Sequence, residues 1–183
     1  GDTTAMHTHR LPILYLCVSG SEVWLDEEGD NRRRVTLPKG WVGSDLYSDS
    51  AIFNHRFAVI GSSDLHIIAV ERMGVTEGFS DIRPTSAKPV YHKNGFAVYT
   101  FSGKDLNASG EKLHSSGQHM EWPMVLAAGE AVPSFPAGGD EAGKKSGPGD
   151  VLIPEAGPWK FSKDAELWMV VPSPSGVALP DEN

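Results

Sequence analysis

The 183-residue chain is acidic, with 24 Asp and Glu against 16 Lys and Arg, a net charge of -8 and a pI of about 5.3. An acidic surface repels phosphate backbones, so the composition argues against a nucleic-acid partner. No apolar stretch approaches the roughly 20 residues of a membrane helix, and a single cysteine excludes an intramolecular disulfide. The length fits one large domain or two small domains that share a core.

The apolar segments are short and end at turn residues, which is typical of strands. In chain order the predicted strands span residues 13–18, 22–25, 34–37, 41–43, 57–60, 65–70 and, further on, 95–101. The acidic stretch at 26–31 has the composition of a hairpin tip, and the basic run that follows it is interpreted as part of the same solvated hairpin. Cys17 lies inside an apolar run and is predicted to be buried, because apolar surroundings suppress the thiolate. No window shows a helical stripe, so we expect an all-β protein.

The chain is predicted to divide into residues 1–75, a linker at 76–94, and residues 95–183. Glycine and proline without apolar periodicity mark the linker. Residues 1–5 do not form a signal peptide, so a cytoplasmic protein is expected, although removal of an earlier signal peptide would leave the same sequence.

An internal repeat supports this division. When the chain is aligned with itself so that Gly20 falls on Gly129, Gly40 falls on Gly149, with apolar positions matching between them. A slightly smaller offset places 65–70 on 166–171. The constant order and spacing predict two tandem copies of one small barrel.

Two of the seven histidines, His7 and His9, are separated by one residue. On a strand, residues i and i+2 point to the same face, so both imidazoles would converge. Neutral imidazole is a ligand for Fe, Zn, Cu, Ni and Mn.

The stretch 7–20, which begins His7-Thr8-His9, resembles the first motif of the cupin superfamily. The second motif is matched by Pro38-Lys39-Gly40, by the segment around His55 and by 61–71. The resemblance covers most of 5–71 and, more faintly, 95–172. It implies a double-stranded β-helix, or jelly roll, in two tandem copies.

The resemblance also implies a metal site formed by His7, His9 and His55. Cupins add a glutamate soon after the first histidines, and here that position falls near Ile13 or Leu14, neither of which can bind a metal. A three-histidine site is therefore implied. Only six residues precede His7, so strands from the second copy, or from another subunit of a homodimer, are expected to complete the first barrel.

The leading functional hypothesis is a metal-dependent enzyme of the cupin type, acting on a small organic molecule. A dioxygenase-like reaction at iron is favoured, and Zn, Mn or Ni are alternatives as the metal. The second hypothesis is a non-catalytic cupin that binds or senses a sugar or an organic acid. The catalytic residues, the substrate and the metal are left open by the sequence.

The second copy is predicted to lack a metal. The alignment of Gly20 with Gly129 puts Ser116 and Gln118 where His7 and His9 stand, and Trp159 falls near the position of His55. His114 and His119 are interpreted as a surface pair, His66 as a half-exposed strand residue and His92 as loop surface.

Overall fold

A computed structural model of the chain describes residues 2–29, 32–73, 87–109, 124–133, 145–152 and 159–172. The chain forms two compact units, Gly1–Val75 and Thr76–Asn183. The described residues are mostly strand, as the sequence predicts, with one short helix in the second unit. None of the helical residues described here forms a helix long and apolar enough to cross a membrane.

The first unit contains two antiparallel sheets. One has four strands in the order β1-β6-β3-β4, and the other has three in the order β5-β2-β7. The strands are β1 (His7–His9), β2 (Pro12–Ser19), β3 (Ser21–Glu27), β4 (Arg33–Leu37), β5 (Val42–Leu46), β6 (Phe53–Ile60) and β7 (His66–Glu71). Every strand predicted in residues 13–70 is present, with its ends moved by at most four residues.

Side chains from both sheets of the first unit share one core. Cys17 of β2 packs with Val23 of β3 and Leu37 of β4, and Phe57 and Ile67 lie against this cluster. Full burial of such side chains contributes about 1.5–3 kcal/mol each. Burial also raises the pKa of the Cys17 thiol, which agrees with its interpretation as a core residue.

The β3–β4 hairpin carries the predicted solvated charges. Arg33 bonds Glu27 within the hairpin, with Nη2 2.5 Å from Oε1. Asp26 is shared by Arg32 at 3.0 Å and by Arg56 of the neighbouring strand at 2.8 Å. Exposed pairs of this kind contribute about 0–1 kcal/mol each, so their main effect is to keep this face of the sheet in water.

The second unit has a five-stranded antiparallel sheet of order β12-β10-β14-β9-β8 and a separate β11-β13 pair. Within the ranges of this unit that the structure describes, thirteen buried residues, including Leu126 and Leu167, form one core. The elements are β8 (Lys88–Lys93), β9 (Phe96–Ser102), α1 (Gly103–Ser109), β10 (Met124–Ala128), β11 (Ala131–Pro133), β12 (Val151–Leu152), β13 (Trp159–Phe161) and β14 (Glu166–Pro172).

Two features of the second unit differ from the sequence interpretation. Lys88–Lys93, inside the predicted linker 76–94, pairs with β9 as an edge strand, and His92 lies in this strand instead of in a loop. Helix α1 begins after Ser102, whose Oγ accepts from the Asp105 backbone N–H at 3.1 Å and donates to the Asp105 carboxylate. This reciprocal bonding is a helix N-cap, which compensates for the absence of an apolar stripe.

The two units contain the same turn at the positions that the repeat aligns. In the first, Gly40 N donates to Cys17 O and Cys17 N donates to Trp41 O. In the second, Gly149 N donates to Leu126 O and Leu126 N donates to Asp150 O. Gly40 and Gly149 both have positive φ, 83° and 95°, which L side chains adopt only with strain.

The alignment of residues 65–70 with 166–171, the second part of the predicted repeat, is displaced by one residue in the structure. Ser19 pairs with His66 in the first unit, and Ala128 pairs with Glu166 in the second, each beside an irregularity at the same place. His66 is therefore the counterpart of Glu166, a place that the sequence alignment gave to Leu65. Because side chains alternate in strands, a displacement of one residue exchanges the two faces.

Candidate metal centre

Three histidines of the first unit converge because two neighbouring strands carry them in register. His7 of β1 is the direct partner of His55 of β6, and His9 lies two residues further along the same face. The ring centroids are 5.0 Å apart for His7 and His9, 4.3 Å for His7 and His55, and 5.2 Å for His9 and His55. The three side chains offer ligand atoms that all lie within 4.8 Å of one another.

Hydrogen bonds fix the proton positions of two rings. Nδ1 of His7 lies 2.9 Å from the Ala5 carbonyl oxygen, and Nδ1 of His9 lies 2.9 Å from Oε1 of Glu71. A carbonyl and an ionised carboxylate can only accept, so Nδ1 carries the proton in both rings. In the neutral form of such a ring Nε2 presents a lone pair, which is the form in which imidazole binds a metal.

His55 is the most deeply buried member of the cluster, with 1% of its surface exposed against 7% for His9. Burial, reinforced by His7 and then His9, lowers the pKa of His55 to about 4. The ring is thus neutral near pH 7. Its Nδ1 is buried and has no hydrogen-bond partner among the described residues.

The spacing of these nitrogens fits a shared metal ion. Nε2 of His9 and Nε2 of His55 are 3.1 Å apart. Two nitrogens bound at about 2.0–2.1 Å to one ion would lie about 2.8–3.4 Å apart for angles between octahedral and tetrahedral values. A donor set of three neutral imidazoles suits Fe, Zn, Mn or Ni. The residues present therefore fit a divalent transition metal.

Glu71 is the part of this cluster that the sequence interpretation missed. Ile13, the position expected for a glutamate, is fully buried and apolar. Its direct partner across β2 and β7 is Glu71. The carboxylate thus comes from β7, the strand beside β2, and is distant from His9 along the chain. It accepts a hydrogen bond from Nδ1 of His9, which leaves Nε2 of that ring for a metal. The resemblance directs attention to residues just after His9, so it gives no signal for Glu71.

A cavity of about 490 Å³ adjoins His55 in the first unit. Most of its lining residues are aromatic or aliphatic, and the other four are His55, Glu27, Arg33 and Asp45. Such a volume and lining are typical of small-molecule sites. The apolar and aromatic residues are Tyr15, Leu25, Val35, Leu37, Trp41, Tyr47, Phe53, Phe57 and Ile67.

Two tyrosines connect this cavity with the histidines. The Tyr15 ring meets His9 edge-on at 5.9 Å, and the Tyr47 ring stacks on His9 at 6.1 Å. The Tyr47 hydroxyl donates to Asp45 at 3.1 Å. Burial is the main cause that raises the pKa of Tyr15 to about 12 and that of Tyr47 further. Both phenols are therefore neutral hydrogen-bonding groups across the physiological range.

The other histidine predictions have different outcomes. His66 lies exposed in β7. Ser116, Gln118, His114 and His119 fall outside the described residues, so the absence of a metal from the second unit stays a prediction. Trp159 is the strand partner of Pro133 in the second unit. The repeat aligns Pro133 with Trp24 of the first unit, and the strand partner of Trp24 is Ala58. Trp159 thus occupies the place of Ala58, three residues beyond that of His55.

No protein-family model matches the chain, and no curated protein does. Among solved structures it is similar to a cupin 2 conserved barrel domain protein from Leptotrichia buccalis, at 11% identity and a TM-score of 0.38, over 92% of this chain and 78% of that one. It is also similar to YhhW from Escherichia coli, at 12% identity and a TM-score of 0.33, over 95% of this chain and 76% of that one. Both likenesses are distant.

Proposed function

We propose that the first unit is a cupin-type jelly roll whose His7, His9 and His55 hold one divalent transition metal, and that the protein is an enzyme acting on a small organic molecule. The observation that carries the proposal is the convergence of three imidazoles, two of which have Nδ1 bonded to acceptors. Such bonds orient metal-binding histidines and make them stronger ligands.

Each residue of the site has a defined task in this proposal. His7 and His9 bind through Nε2, with the Ala5 carbonyl and the Glu71 carboxylate holding their protons on Nδ1. His55 would supply the third nitrogen, and because its side chain lines the cavity, a molecule bound there would lie beside the site. The apolar walls exclude water from that molecule.

Three protein ligands leave positions open on a divalent ion, which would then polarise a substrate and, for iron, provide the redox chemistry of an oxygenase. Iron and a dioxygenase-like reaction are the favoured assignment. The cavity supplies the substrate position. Tyr15 and Tyr47 remain protonated and so orient a polar group by hydrogen bonding, without acting as bases near pH 7.

The decisive experiment is metal analysis of the purified chain, followed by titration of the metal-free protein with Co²⁺ and Zn²⁺. One ion per chain is expected, and a Co²⁺ absorption spectrum should show nitrogen ligands. His55→Ala should abolish binding. His66→Ala and His92→Ala, which alter histidines outside the cluster, should leave it unchanged.

Failure of the chain to bind either ion, or equal binding by the His55→Ala variant, would overturn the metal assignment. The non-catalytic function would then take its place, because the cavity does not depend on an ion. Stoichiometric metal with oxygen consumption in the presence of a substrate would support the enzyme over the binding protein.

A further inference from the structure

The cavity of the first unit has an aromatic wall that depends on a glycine. Trp41 stacks with Tyr15 at 6.4 Å between ring centroids. A Cβ added at Gly43 would lie 2.4 Å from Cζ2 of the Trp41 ring, so the indole occupies the space that a side chain would take. Tyr47 and Phe53 also line the cavity and are stacked on each other at 5.1 Å between ring centroids.

The charges that line the cavity favour a cation. Arg33 is the only arginine or lysine among the lining residues, and it is already bonded to Glu27 at 2.5 Å. Asp45 has a single bonding partner among the described side chains, the Tyr47 hydroxyl at 3.1 Å. A carboxylate offers about four lone-pair positions, so Asp45 retains acceptor capacity. A ligand carboxylate would find Arg33 already paired with Glu27 and would be repelled by the negative charge of Asp45.

We infer that this cavity takes a small aromatic amine, with its ring against Trp41 and Phe53 and its ammonium group at Asp45. The inference rests on the proposed function, because it names the substrate class of the same site. Aromatic faces attract cations, so Trp41, Tyr15 and Tyr47 add to the attraction of Asp45. The volume of about 490 Å³ holds a molecule of this size with room for a second group beside His55.

The test uses three probes of one shape, benzylamine, benzyl alcohol and benzoate, with the metal-free protein in the presence of a chelator. Binding is measured by calorimetry and by tryptophan fluorescence, since Trp41 lies in the wall. Affinity should fall in the order benzylamine, benzyl alcohol, benzoate. Asp45→Asn should weaken benzylamine about ten-fold and leave benzyl alcohol unchanged. Gly43→Ala should weaken all three, because it displaces Trp41.

Asp49→Asn is the matched control, since its side chain is 92% exposed and it does not line the cavity. It should change none of the three affinities, and thermal melting of every variant should confirm that the fold is retained. Tighter binding of benzoate than of benzylamine, an unchanged preference in Asp45→Asn, or no binding of any probe would overturn the inference. Metal titration of the same samples is read separately, so loss of the metal site and loss of the amine preference are distinguishable.

Discussion

The segment from β2 to β5 and the segment from β10 to β12 contain the same hydrogen-bonded turn, but the side chains on the neighbouring strands differ. Each has a positive-φ glycine, Gly40 or Gly149, that donates to a carbonyl of the preceding β2 or β10 strand. In the first unit the neighbouring strands bring histidines and Glu71 to one point. In the second unit, Val171 stands at the place of Glu71 when β7 and β14 are aligned by their observed pairing. The comparison teaches that the turn specifies the fold, whereas a few side chains on the adjoining strands specify the chemistry.

The strongest test of the shared backbone uses the glycines that end the first strand of each segment. A Cβ at Gly20 would lie 2.4 Å from the Lys39 backbone nitrogen, whereas one at Gly129 would lie 2.6 Å from the Ala165 Cα and would also be strained by a positive φ of 76°. Gly20→Ala and Gly129→Ala should each lower the free energy of unfolding by about 3 kcal/mol or more, because backbone must move. Chemical denaturation checks this. A tolerated change at one position alone would show that the two turns are not equivalent.

Acid should destabilise the first unit through His55, a residue that belongs to this unit alone. Its pKa is lowered to about 4 in the folded protein, so between pH 6.5 and 4 the unfolded chain binds more protons. The free energy of unfolding of the metal-free protein should therefore fall by up to about 3 kcal/mol as the pH is lowered through this window. Above pH 6.5 His55 should make no such contribution. Urea midpoints measured across this range should be much less pH-dependent in His55→Phe than in the parent. Equal slopes in both proteins would contradict the prediction, and His66→Gln serves as the control.

The role of Glu71 gives a smaller effect that belongs to the first unit alone. Glu71→Ala should weaken binding of Zn²⁺ about ten- to a hundred-fold, because His9 loses the acceptor that orients it. Glu71→Gln should fall between this variant and the parent, since an amide oxygen still accepts from Nδ1. Competition with a chelating dye measures the affinities, and ¹⁵N shifts of the His9 ring report its tautomer. Glu166→Gln, on the equivalent strand of the second unit, should have no effect.

The smallest expected difference concerns Gly40 and Gly149, which occupy equivalent turn positions with positive φ. Gly40→Ala and Gly149→Ala should each cost about 1 kcal/mol, because a Cβ is strained in the left-handed region. Thermal melting of the two variants should give similar shifts. Opposite signs would indicate that the turns have different roles.

The strand pattern and the shared face of His7 and His9 could be predicted because both depend on local spacing, whereas His55 is implied only by the resemblance to the second cupin motif. Alternation places His7 and His9 on one face, and short apolar runs bounded by glycine mark the strands. Glu71 could not be found in this way, because its position opposite Ile13 depends on a strand register set far along the chain. Helix α1 had a readable signal, since Ser102 and Asp105 have the spacing of a capping box. The one-residue error at β14 arises because both alignments put apolar residues in register.

Residues 2–4 and 7–9 are both joined to β6. Thr4 N donates to the Phe57 carbonyl, Val59 N donates to the Asp2 carbonyl, and His7 pairs with His55 further along. In the proposed site, an ion held by His7 and His55 would bridge these same two strands. Thermodynamic linkage then requires that detachment of this segment and release of the ion favour each other, so protease resistance of residues 2–9 should rise with metal concentration.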